Sequence, residues 1–185
     1  MTIEERLQIL AECGLKLKDQ FGVPDLIESW GREALDEPGY DLALVCLGMT
    51  QEKPPWTPHC ENLWHFDTEC IQGDGSYVRI AKRMAEMTQG SLPLSDFQDH
   101  VDIEGGKAWL RFRCRDQPVH IPCTVQDDWV DTSVFGYFVD LLAHCDPNKR
   151  FIYYDLGGQD CIIGCVAHEQ FNKLKKVIPK VDPLR

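Results

Sequence analysis

The chain has 185 residues, 43% of them hydrophobic and 26% charged, which is the composition of a globular protein long enough to bury a core. Its formal net charge of −11 repels nucleic acid and anionic membranes and favours basic partners, unless the charge serves solubility alone. The N-terminus carries no basic segment leading into an apolar stretch, and no run of about 18 apolar residues occurs, so a secretory signal and a membrane span are not expected.

Nine cysteines stand at scattered positions with no Cys-x-x-Cys pair. Several lie inside apolar runs (Cys46, Cys123, Cys161), where a free thiol behaves as a small hydrophobe. A reducing, cytoplasmic setting follows as the expectation.

In chain order, Thr2 and Glu5 have capping-box spacing, and Leu7, Leu10, Leu17 and Phe21 recur on one helical face. A first helix over about residues 3–20 is predicted. Pro24 suits the first turn of a second helix carrying Leu26, Ile27 and Trp30, ending near Gly31 or before Pro38. Residues 42–47 form a continuous apolar run and read as a strand buried on both faces. Residues 48–61, with three prolines, read as a surface loop.

Residues 62–70 read as a strand with two chemically different faces. Trp64, Phe66, Thr68 and Cys70 form the packing side, and His65, Asp67 and Glu69 form the polar side. Asp74 is positioned to cap a third helix with Tyr77, Ile80, Ala81, Met84 and Met87 on its face, closed by Gly90. A three-stranded meander over about 98–104, 107–114 and 118–124 follows, turning at Gly105-Gly106 and Asp116-Gln117-Pro118. In its middle strand Ala108, Leu110, Phe112 and Cys114 alternate with Lys107, Trp109, Arg111 and Arg113, one face packed and the other wet. Asp131, Thr132 or Ser133 caps a fourth helix. A hairpin of 151–155 and 161–166 turns through Leu156-Gly157-Gly158-Gln159, and a short helix with Phe171, Leu174 and Val177 ends the pattern.

This order predicts an α+β fold: one domain over residues 1–185, with an N-terminal helical pair in 1–38. The core, in 40–178, is a mainly antiparallel sheet packed by helices.

Three groups of residues carry possible chemistry. His65, Asp67 and Glu69 place an imidazole and two carboxylates in one row, with next neighbours roughly 7 Å apart on a strand. Such a row suits zinc, manganese or iron, acid/base work, or a polar docking face. A metal site would need helpers such as His59, His100 or Asp99. Cys161, within Asp155-Leu-Gly-Gly-Gln-Asp-Cys161 and near Cys165 and His168, reads either as a nucleophile or as core packing. The C-x3-C-x2-H spacing is not a standard zinc pattern. The third group is acidic: Asp99 and Asp102, with Asp96 and Glu104, near the first meander strand, and Asp127, Asp128 and Asp131 around Trp129. Carboxylates around an exposed aromatic suit a basic protein partner, the ring anchoring and the charges steering. Basic residues form no stripe, so nucleic acid is not expected as a partner.

The blocks Trp64-His-Phe-Asp-Thr-Glu-Cys-Ile71, Asp127-Asp-Trp-Val-Asp131 and Tyr154-Asp-Leu-Gly-Gly-Gln-Asp-Cys-Ile-Ile-Gly-Cys165 resemble those of a family of bacterial proteins to which no activity is attached. In size, acidity and lack of a catalytic signature the chain is also similar, by type, to cytoplasmic immunity proteins that neutralise polymorphic toxins. The expectation is a non-enzymatic binding protein without cofactor, metal or catalytic residues. Its partner would be a basic toxin domain, met by His65, Asp67, Glu69, Asp99, Asp102, Asp127, Asp128, Trp129 and Asp131. The alternative is a metal-dependent hydrolase built on the His/Asp/Glu strand face.

Overall fold

Helices and two antiparallel sheets, one of four strands and one of three, make this an α+β protein in a computed structural model that describes residues 1–52 and 54–185. The chain divides into two compact units. The first comprises residues 1–66 with 151–183, and the second comprises 67–150 with the last two residues.

In the first unit α1 (Ile3–Glu12) begins with the expected capping box. Thr2 Oγ1 accepts from Glu5 N at 3.4 Å, and the Glu5 carboxylate accepts from Thr2 N at 2.8 Å. The helix is shorter than the 3–20 its apolar spacing predicts. Gly14 adopts φ +86°, a left-handed stop that glycine takes without steric cost. The chain beyond it extends, with Leu17 bridging Cys60 and Lys18 N donating to His59 O at 2.8 Å.

Helix α2 (Val23–Trp30) starts with Pro24 in its first turn and stops at Gly31, as expected, but a short α3 (Arg32–Asp36) follows at once. Buried Arg6 ties α1 to it, donating to Leu35 O at 2.7 Å and Asp36 O at 3.3 Å. The 42–47 run is not a strand: it lies in helix α4 (Asp41–Gly48). A continuous apolar run has no period to distinguish the two. Here Leu and Ala favour helix, and Asp41 in the first turn complements its dipole. Gly48 lets this helix end against the sheet, since a Cβ there would sit 2.5 Å from His65 N. The 48–61 segment includes a pairing of Thr50 with Pro58; Lys53, within it, lies outside the described residues.

The sheet of this unit runs β1-β6-β5-β7: β1 (Leu63–Asp67), β5 (Lys149–Asp155), β6 (Asp160–Ala167) and β7 (Asp182–Pro183). The β5–β6 hairpin and helix α7 (His168–Val177) stand as the sequence predicts, whereas β7 has no sequence signal. The core gathers Leu10, Leu44, Leu47, Leu63, Ile162 and Leu174. Buried Asn62 donates to Gly14 O at 3.0 Å and to Cys165 O at 2.8 Å, linking the end of α1 to β6.

The second unit holds α5 (Ser76–Met87), β2 (Leu94–Asp102), β3 (Lys107–Cys114), β4 (Gln117–Cys123) and α6 (Ser133–Cys145). The meander is antiparallel, with Leu110 opposite Asp99 on one side and Ile121 on the other. β2 begins earlier than predicted, because a bulge between Ser95 and Gln98 lets the strand continue through Asp96. Leu110, Phe112 and Cys114 are buried, and Lys107 and Arg111 are exposed, as the alternation predicts. Phe112 stacks on Phe138 of α6 with ring centroids 5.7 Å apart.

Candidate partner-binding surface

The residues of the expected site fall into three groups once placed. The first comprises carboxylates already engaged by backbone. Asp99 accepts from Gly75 N at 2.7 Å and Val78 N at 2.9 Å, so it caps α5 from the neighbouring strand, a role worth about 1 kcal/mol. Asp74, the expected cap, accepts instead from Val101 N at 2.7 Å. Asp102 accepts from Gly105 N at 2.8 Å and shapes the β2–β3 turn. Asp131 accepts from Thr124 N at 2.6 Å and Ser133 N at 3.0 Å. Burial raises the Asp131 pKa, but these hydrogen bonds outweigh it and hold the carboxyl below its ordinary value. Asp99, Asp102 and Asp131 therefore spend much of their acceptor capacity on the fold.

The second group is the strand row, which divides between the units: His65 belongs to the first, Asp67 and Glu69 to the second. His65 is half-buried, with Nε2 3.7 Å from an Asp160 carboxylate oxygen. Asp67 accepts from Glu69 N at 2.8 Å. The strand ends at Asp67, so the regular alternation expected through residue 70 is lost. Leu63, which shares His65's parity, is fully buried, while Trp64 is only half-buried. The two faces are thus less distinct than the sequence pattern suggests, because Leu63 joins the buried cluster that holds Leu44 and Leu47. Among the described residues no group of three or more His, Cys, Asp or Glu could hold a metal ion. The donor set that the hydrolase reading needs is not assembled there.

The third group is brought together. Trp129 pairs with Glu69 through an isolated antiparallel bridge, and Trp129 N donates to Gln126 O at 3.0 Å, closing a tight turn. Asp127 sits inside that turn at φ +52°, a conformation short polar side chains tolerate. Two further bonds clamp the loop: Ile71 N to Asp128 O at 2.9 Å, and Val130 N to Thr68 O at 2.8 Å. The result is a fixed platform. Trp129 is 39% exposed, and Asp127 and Asp128 are exposed beside it. Half-buried Cys70 feels Asp67, Asp128 and Arg79, which places those charges around the same clamp. Burial pushes the Cys70 thiol up to about 11, so it stays protonated at neutral pH.

Cys161 and Cys165 are buried at 4% and 3% exposure in β6, while His168 is exposed on α7. That burial supports the packing account of these thiols.

A second acidic, aromatic surface lies wholly in the first unit, and no motif in the sequence marks it. A groove of about 560 Å³ is lined by Phe21, Asp25, Glu28, Trp30, Glu52 and His59, among others. Trp30 is 39% exposed, and the Phe21 and His59 rings are 4.5 Å apart. The available signal was a tryptophan at the last position of an amphipathic helix, after Asp25 and Glu28. No protein-family model matches the chain, and no curated protein or solved structure shows significant similarity to it.

Proposed function

We propose that this chain is a non-enzymatic binding protein, most concretely an immunity protein that neutralises a bacterial toxin by covering a basic surface or active cleft. The observation that carries the reading is the clamped Trp129 platform with Asp67, Glu69, Asp127 and Asp128 around it. A half-exposed indole on a fixed loop buries apolar area at little conformational cost, the property of an interface anchor. Carboxylates beside it accelerate encounter with a cationic partner and fix its orientation. The net charge of −11 extends the same attraction over longer range. His65 belongs to the first unit, and Asp99, Asp102 and Asp131 support the fold around the platform. No covalent chemistry is required of the chain, because occlusion alone blocks a cleft.

Co-expression with toxin genes adjacent to its own tests the proposal. Wild-type protein is expected to restore growth, and Trp129→Ala to weaken toxin binding by roughly tenfold or more while far-UV circular dichroism is unchanged. Asp127→Lys with Asp128→Lys should slow association and reduce its salt dependence. A toxin that remains lethal beside the wild-type protein, or full protection by Trp129→Ala, would sink the reading.

A further inference from the structure

Cys114 and Cys145, 31 positions apart in sequence, bring their Sγ atoms to 3.8 Å. Cys114 is the last residue of β3 and Cys145 the last residue of α6, so the two thiols join the sheet to the helix that packs on it. Both are free thiols; Cys114 is 7% exposed, and Cys145 is half-buried. A disulfide has an S–S length near 2.05 Å, so side-chain rotation must close about 1.8 Å. We propose that Cys114 and Cys145 form an oxidative modification site, converted by a hydroperoxide into an intramolecular disulfide.

The order of events follows from the surroundings. Cys145 is the more exposed residue of the two and is the one that meets peroxide. Its thiolate attacks one peroxide oxygen, the O–O bond breaks, and hydroxide leaves, giving a sulfenic acid on Cys145. The Cys114 sulfur then attacks Cys145 Sγ; the S–O bond breaks, the S–S bond forms, and water departs with the Cys114 proton. Two thiols are oxidised by two electrons in all, and one hydrogen peroxide is reduced to two waters. Cys114 suits the second role. Burial, reinforced by the hydrogen bond and charge of Cys145, keeps it protonated, and Arg115 opposes this only in part. Cys70 and Cys123, in the same unit, are pushed up mainly by burial to about 11 and about 12, so neither competes as a thiolate.

The crosslink would close a covalent loop from residue 114 to 145, which contains β4 and the turn at 126–129. The site does not depend on the binding proposal, but the loop it would tether is the one carrying Trp129.

Peptide mapping of the wild-type full chain after titration with hydrogen peroxide is the test, under non-reducing conditions and with free thiols alkylated. The expected product is monomeric, two hydrogens lighter, with Cys114 linked to Cys145, and reverts with dithiothreitol. In Cys114→Ser the sulfenic acid on Cys145 should persist and be trapped by dimedone. In Cys145→Ser peroxide reactivity in this pair should fall by roughly tenfold or more. A wild-type protein in which Cys145 goes directly to sulfinic acid without a crosslink overturns the proposal. So does a crosslink distributed over other cysteines. The wild-type map decides by itself should either variant fail to fold.

Discussion

β6 of the first unit and β3 of the second are strands of equal length built on opposite plans. In β6 the six residues from Cys161 to Val166 are all buried, so its apolar run is continuous and its polarity carries no period. In β3 the buried residues Leu110, Phe112 and Cys114 alternate with Trp109, Arg111 and Arg113, and one face stays open. Arg111 lies over the Trp109 ring at 4.4 Å and donates from Nε to His120 Nδ1 at 2.9 Å on that open face. The cysteines follow the same division. The five of the first unit are all buried, whereas Cys70, Cys123 and Cys145 of the second are half-buried. A two-sided strand penalises a change of side-chain volume in either direction, while a one-sided strand leaves half its positions free to evolve contacts.

The sharpest way to break that contrast is to add bulk to β6. A Cβ on Gly164 would lie 2.7 Å from Leu63 Cδ1 and 3.1 Å from both Asn62 O and Ile152 Cγ1. Gly164→Val is expected to cost about 3 kcal/mol or more, read as a lower urea midpoint with an unchanged slope. A mutant as stable as wild type would show that β6 is not packed on both sides.

Each unit also holds one deeply buried phenol, which allows a comparison by pH. Burial first, then the hydrogen bond to Asp41, pushes Tyr154 up to about 12, and burial likewise pushes Tyr77 up to about 12. The unfolded chain loses these protons near pH 10. Their contribution to stability is therefore complete below pH 10 and is lost as pH rises through 12. Phenolate absorbance should show two of the five tyrosines titrating near 12. Tyr154→Phe should remove one of them, and titration of both near 10 would contradict the burial.

The smallest effect belongs to the open face of β3. Arg111→Ala removes an exposed cation–π contact worth about 0.5–1 kcal/mol, so the urea midpoint should move little. A loss comparable to that of Gly164→Val would mean that this face supports the fold rather than standing free.

Where one element decides its own structure, the sequence was readable. The capping box at Thr2 and Glu5, the turn at Gly105-Gly106, the alternation of β3 and the β5–β6 hairpin all depend on local spacing. Leu42 to Leu47 is apolar at every position, so its pattern fits a buried strand as well as the helix α4 it forms. Leu17 continues the apolar spacing of α1 past Gly14, where the helix has already stopped. The cap of α5 comes from Asp99, 24 positions after Gly75, and no local pattern distinguishes it from Asp74. Of the candidate surface, the cluster around Trp129 was visible as composition. What could not be read was the pairing of that loop with residues 68–71, which separates exposed Asp127 and Asp128 from the engaged Asp131.

One consequence of the chain path concerns synthesis. β1 has β6 as its neighbour in the sheet, yet the whole stretch from Asp67 to Arg150 is translated between them. At ribosomal speeds of about 5–20 residues per second, that interval lasts on the order of ten seconds. Throughout it, Leu63 and Phe66 exist without the strand that pairs with β1, while residues 67–150 contain every strand of their own meander. The inserted unit is therefore placed to mature first, and the unit that begins the chain to finish last. A nascent-chain chaperone would meet the apolar helix α4 and a solitary β1 as its natural client.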